Sequence, residues 1–334
     1  MMPLAVFAAL VVVTVVWCTL PLLPAFRELH GEALEPLAIP ANHDGDARHF
    51  AKRFREYVSV DSQRPTLGTT AEQFITDGPP LRVFVASAPL LIDQDWVSPG
   101  DIYAAKSVSG DGGVSVRGLL AEENIVLGEH SEVRRWIHSG KDLDVGASSV
   151  LRGRASAEGV LRVGENASFE WLSAPRVTFG GEMHGSDVAG EAPEAPEPSL
   201  AGPPRKIYGD LYIPADATVD ADIVVTGSLR IGARSVVTKS VKSRGTLILG
   251  DAVLVRGSVI SSGDVIVGDH CTIAGVVVAE RSVQLGTQSR VGSERVLSTV
   301  SAPRIAVAAG SVVHGTVWAR KHGRVCSAGA GMSV

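Results

Sequence analysis

The chain holds little of what most functional classes require. Cysteine occurs only at Cys18, Cys271 and Cys326 in 334 residues, never with C-x-x-C spacing, so neither a disulfide framework nor a zinc site follows. Such sparse use suits a reducing compartment. Cationic charge is not in excess either. The 31 Lys and Arg are dispersed among 36 Asp and Glu, for a net charge of −5, which excludes a surface built for a phosphate backbone. Aromatic residues make up 5%, too few to fill a broad globular core with rings. The P-loop, the G-x-S-x-G elbow and the H-E-x-x-H pair are all missing, leaving nucleotide hydrolysis, serine hydrolysis and zinc proteolysis without support.

Glycine, by contrast, is abundant at 36 residues, and it is placed periodically. Aliphatic pairs recur every 18 residues at Leu229/Ile231, Leu247/Leu249, Val265/Val267 and Val283/Leu285, each followed by Gly232, Gly250, Gly268 or Gly286. Three residues past each glycine stands a small or short side chain (Ser235, Val253, Cys271, Ser289), and five past it an aliphatic one (Val237, Val255, Ile273, Val291). The same register runs through Ile125/Leu127/Gly128, Leu143/Val145/Gly146 and Leu161/Val163/Gly164. A strict period of this length means stacked coils. Both halves enter their last coil through the same words, SAPRV at 173–177 and SAPRI at 301–305, which implies duplication of one array. A four-residue insertion near 293–296 shifts the last coil, so that Ile305 and Val307 take the places expected after Val283 and Leu285.

Around the arrays the organisation is as follows. Residues 1–26 are almost wholly apolar, with no charge before Arg27, long enough to cross a hydrocarbon core of about 30 Å as a helix. A transmembrane anchor is expected there, with a cleaved signal peptide as the alternative. Residues 27–80 read as a juxtamembrane amphipathic helix and linker. The helix, 48–58, carries Phe50, Phe54 and Tyr57 on one face, with Asp46 as its cap. It suits either an anionic lipid surface or packing across the end of the solenoid. The first array is assigned to 81–187 and opens with a strand at 81–86. A Pro-rich linker covers 188–206, the second array 207–318, and a flexible tail 319–334.

An 18-residue coil of three short strands suits an all-β fold, a parallel β-helix. The stretch GSVISSGDVIVG, 257–268, resembles the rung pattern of bactofilins, bacterial polymer-forming cytoskeletal proteins, and the likeness covers about 200 of the 334 residues. The resemblance implies a right-handed β-helix acting as a non-enzymatic scaffold. It also implies self-association through terminal coils, location at the inner membrane with a cytoplasmic body, and contact with envelope-biogenesis proteins. An acyl or sugar-modifying transferase of the hexapeptide-repeat class is the enzyme alternative. Against it, the hexads from Val255, VRGSVI and SSGDVI, carry large residues at their fifth position and Ser261 at a first. An exported carbohydrate-binding β-helix is a further alternative, which expects aromatic residues along one face.

No residue is assigned as catalytic, cofactor-binding or metal-binding, and no cofactor is expected. His130 and His270 share a coil position two residues after the repeat glycine, where a transferase could carry its base. Other coils hold Arg234, Ala252, Gln288, Ser148 and Asn166 there, which points to a corner instead. Asp251, Asp264, Asp269 and Glu129 read as solvated turns, without the nonapeptide that binds calcium. His43 and Asp44 fall in a turn before the helix. Trp136 and Trp171 suit either exposed stacking platforms or edge packing.

Overall fold

A computed structural model describes residues 48–60, 72–74, 83–98, 100–180 and 205–327. They form one 29-stranded sheet wound into a solenoid, with a helix, α1 (His49–Val60), against it. In each coil of the second array three short strands follow one another. Leu229–Ile231, Val236–Val237 and Val241–Ser243 pair in parallel with Leu247–Leu249, Leu254–Val255 and Val259–Ser261, each 18 residues on. Within each strand alternate residues face inward: Leu229 and Ile231 are fully buried and Arg230 is exposed. Stacking these inward rows makes one continuous apolar core along both arrays.

The corners explain the rest of the repeat. The residue two past the repeat glycine takes a left-handed conformation in coil after coil, at His130, Ser148, Asn166, Arg234, Ala252, His270 and Gln288, with φ between 52° and 59°. Only Gly, and less readily Asn or Asp, adopts it without cost. Ala252, at φ 55°, can bond nothing in return, so Ala252→Gly is expected to raise unfolding free energy by ~1 kcal/mol in urea titration. The short residue that follows turns inward and satisfies the stack. Ser235 Oγ donates to the Pro214 carbonyl at 3.0 Å, Ser289 Oγ to Gly268 at 2.9 Å and Ser311 Oγ to Gly286 at 2.7 Å. Cys271 fills the same slot, its Sγ 3.1 Å from the Gly250 carbonyl, and burial pushes its thiol up to about 11. The repeat glycines permit the close stacking: a Cβ on Gly286 would lie 2.5 Å from the backbone of Gly268.

The insertion bulges outward as the shifted register requires. Ser293 and Val296 close it by mutual backbone hydrogen bonds, Leu297 beside it is exposed, and Ile305 and Val307 stack on Val283 and Leu285.

The direction of the arrays is not visible in the repeat. Every coil-to-coil pairing inside an array is parallel, but the last strand of the first array, Ser168–Phe179, pairs antiparallel with Val312–Cys326, the last strand of the second. The arrays therefore meet last coil to last coil, with Trp171 opposite Trp318, Leu172 opposite Val317 and Val177 opposite Val313. Residues 319–326, expected within a flexible tail, belong to this strand, and Ala319, Val325 and Cys326 are buried. Phe169 lies against Gly323, where a Cβ would come within 2.3 Å of the ring. The two arrays form part of one compact unit, residues 47–334.

The membrane-spanning helix and the single-pass membrane location expected at 1–26 require correction. Among the described residues no helix is long and apolar enough to cross a membrane. α1 has 12 residues, about 18 Å at the usual rise, against a hydrocarbon core of about 30 Å. Residues 1–26 themselves, Cys18 included, lie outside the described residues, as do Asp46 and most of the 188–206 linker. α1 packs against the solenoid, yet along the flank of the first array, not across its end.

Candidate functional site

Besides the bulge and the junction, two places among the described residues carry apolar surface outside the coil core or leave it partly open: the flank under α1 and the first coil of the second array. In the first array each coil has one short strand and one long one, as in Ile125–Leu127 and Glu132–Ser139, and outward positions of the long strands carry large side chains. Leu120 and Trp136 face outward yet are 0% and 6% exposed, because α1 covers them. Ala51, Phe54 and Val58, spaced i, i+3 and i+7, form the helix face that does so. Phe54 meets the Trp136 ring edge-on at 5.2 Å and Tyr103 at 6.5 Å, while Phe50 stacks on Trp136 at 6.4 Å. The guanidinium of Arg154 lies 5.2 Å from the Phe50 ring and 5.0 Å from that of Trp171.

Ion pairs frame this contact. Arg55 grips Glu122 with Nε to Oε1 and Nη2 to Oε2, both 2.8 Å, and Arg48 Nη2 lies 2.5 Å from Glu158 Oε2. The hydrogen bond from Arg55 holds the Glu122 carboxyl below the usual carboxylate range, against the opposing effect of burial. Trp136 and Trp171 are therefore packing residues, the latter 7% exposed. The exposed ring on this column is Trp318, at 43%, which reasoning from the repeat did not single out.

The second of these places is an array end. Of the four ends, the two last coils are joined to each other. The first strand of the first array, Val83–Ala86, is covered on its outer edge by Glu72–Phe74. The first coil of the second array has no such cover among the described residues. Its strands Arg205–Ile207, Leu211–Ile213 and Thr218–Val219 pair only with the next coil, at Ile223–Val225, Leu229–Ile231 and Val236–Val237. Ile207, Leu211 and Val219 are half-buried, although Val225, Leu229 and Val237, their counterparts one coil on, are fully buried. Tyr208 and Tyr212 project there at 77% and 63% exposure, with Lys206 Nζ 5.1 Å from the Tyr208 ring.

The remaining candidates separate. His130 and His270 lie in different arrays, both exposed at left-handed corners. The acidic residues work as corner acceptors: Asp251 Oδ1 takes the Asp269 amide at 3.0 Å, Asp269 Oδ1 the Thr287 amide at 2.7 Å, and Asp264 Oδ1 the Ser282 hydroxyl at 2.6 Å. Glu129 is exposed. Among the described residues no group of three His, Cys, Asp or Glu could hold a metal ion. His43 and Asp44 lie outside the described residues.

No family model matches this chain, and no curated protein and no solved structure matches it.

Proposed function

We propose that the chain is a non-enzymatic, self-associating structural scaffold of bactofilin-like character, and that the first coil of the second array is one of its contact surfaces. The observation that carries this reading is the end of that coil, where, among the described residues, three strands have one unpaired edge each, over half-buried Ile207, Leu211 and Val219. Unpaired backbone donors and acceptors beside apolar surface favour pairing with another strand edge. The protein already meets that need once, by pairing two array ends antiparallel within one chain. The tyrosines at the rim, Tyr208 and Tyr212, add aromatic area of the kind that anchors interfaces.

The test is sedimentation of the full chain across concentration, beside Leu211→Asp. The wild type is expected to form concentration-dependent oligomers. The variant places a charge on the apolar end and is expected to remain monomeric with an unchanged circular dichroism spectrum. Identical sedimentation of the two proteins would refute this use of the coil.

A further inference from the structure

Beneath α1 the flank of the first array holds a histidine with one nitrogen left unsatisfied. His138 is 2% exposed; its Nδ1 lies 2.8 Å from Ser156 Oγ, and its Nε2 has no hydrogen-bond partner. Glu158 Oε1, at 3.7 Å from Nε2, is too distant to accept a hydrogen bond. The charged and titratable groups around this ring come from both sides of the contact. α1 brings Arg48 and Arg55; the neighbouring coils bring Glu122, Glu158 and, beyond Glu122, Tyr103. A proton added to Nε2 would place a third cation beside two guanidiniums that arrive only with the helix, in a position shielded from water. Neutral imidazole costs one unmade hydrogen bond there, whereas imidazolium would carry a buried charge.

We propose that α1 is an acid-released strap: protonation of His138 expels the helix from the flank and uncovers Leu120, Trp136 and Tyr103. Burial above all, then Arg55 and Arg48, depresses the histidine from 6.5 to about 4, against the upward pull of the Glu122 carboxylate and with the Glu158 carboxylate 3.7 Å away. With α1 released, those three depressing influences are removed or reduced and the ring regains its ordinary affinity for a proton. The released state thus binds more protons than the docked state between about pH 6.5 and 4. Docking is complete above this window and is lost progressively as pH falls through it. Glu122, held low by Arg55, keeps its charge as the window is entered, so the start of release belongs to the histidine. The device is independent of the scaffold reading, since it concerns a different part of the molecule and needs no second copy.

The test is amide exchange, corrected for the intrinsic rate, measured by mass spectrometry on the full chain between pH 7 and pH 4.5. Protection across 50–58 is expected to fall by roughly tenfold or more from pH 6.5 to 4.5 in the wild type. In His138→Gln it is expected to change less than about twofold, while core strands such as Leu247–Leu249 stay protected in both. Should the glutamine itself loosen the helix at pH 7, a selectively labelled histidine titration decides. His138 is then expected to titrate near 4 in the wild type and towards 6.5 in Phe54→Asp, whose helix cannot dock. Equal loss of protection in wild type and His138→Gln, or the same His138 titration with and without α1 docked, would overturn the proposal.

Discussion

Aspartate in place of Leu172 is expected to lower the unfolding free energy by more than about 4 kcal/mol, among the largest losses any single substitution in this chain should produce. Leu172 is fully buried and faces Val317, equally buried, across the antiparallel junction of the two arrays. A carboxylate there has no partner within an apolar core, and the antiparallel strands that would have to part to hydrate it close both arrays at once. Leu172→Ala keeps the core dry and is expected to cost about 2–5 kcal/mol through the cavity it leaves. Arg230→Asp, at an exposed outward position, is expected to stay within about 0.5 kcal/mol of the wild type. Urea titration of the three variants checks the ranking. A loss below about 1 kcal/mol for Leu172→Asp would mean that the arrays do not depend on this contact.

Phe54→Ala tests a contact of another kind. Phe54 is 8% exposed and meets both Trp136 and Tyr103, so its removal is expected to cost about 3 kcal/mol. That loss falls on the docking of α1 and not on the coils beneath, because the helix packs on the outward face of strands whose inward faces are complete without it. The expected result is therefore local: roughly hundredfold loss of amide protection in 50–58, with the Leu143–Val145 and Val160–Val163 strands unchanged. Cooperative unfolding of the whole first array in Phe54→Ala would show instead that the helix is part of its core.

The coil and its registers were legible in the sequence because they rest on a local rule repeated many times. An aliphatic pair, a glycine, a left-handed corner and a short inward residue recur every 18 positions, and each neighbour in space is a neighbour in the repeat. The outward bulge at 293–296 was legible for the same reason. The junction was not. Its partners, Ser173 and Thr316, are 143 positions apart, and no period marks a strand that reverses direction. The shared segments did not mark it either: SAPRV lies in the last strand of the first array, Ser168–Phe179, but SAPRI lies in Ser298–Ala308, one coil short of the end of the second. A clue lay in Phe169 and Gly323, since a ring beside a glycine outside the repeat suggests a close approach, but only the fold pairs them.

The α1 site was half legible. Its amphipathic spacing marked a helix with Phe54 inward but misplaced the rest of the face: Phe50 and Tyr57, expected beside Phe54, are exposed, and Ala51 and Val58 pack inward with it. What the sequence could not supply was the direction of approach, along the flank instead of across an end. The candidate histidines His130 and His270 drew notice for a shared coil position that proved to be a backbone corner. The histidine with an unusual environment, His138, stands 18 residues from both Leu120 and Ser156, a coil position whose occupants share no residue type that would draw notice.

The most direct test of the architecture is a disulfide trap across the junction. Ser173 and Thr316 are paired in the antiparallel register, with Oγ and Oγ1 3.2 Å apart, close enough for a cross-link of ordinary geometry. The full chain carrying Ser173→Cys and Thr316→Cys would be oxidised at high dilution, digested without reduction and examined by mass spectrometry. A cross-link joining the 173 and 316 peptides within single chains is the expected result. Failure to form it, or its formation only between chains, would contradict the joining of the two arrays end to end in one molecule.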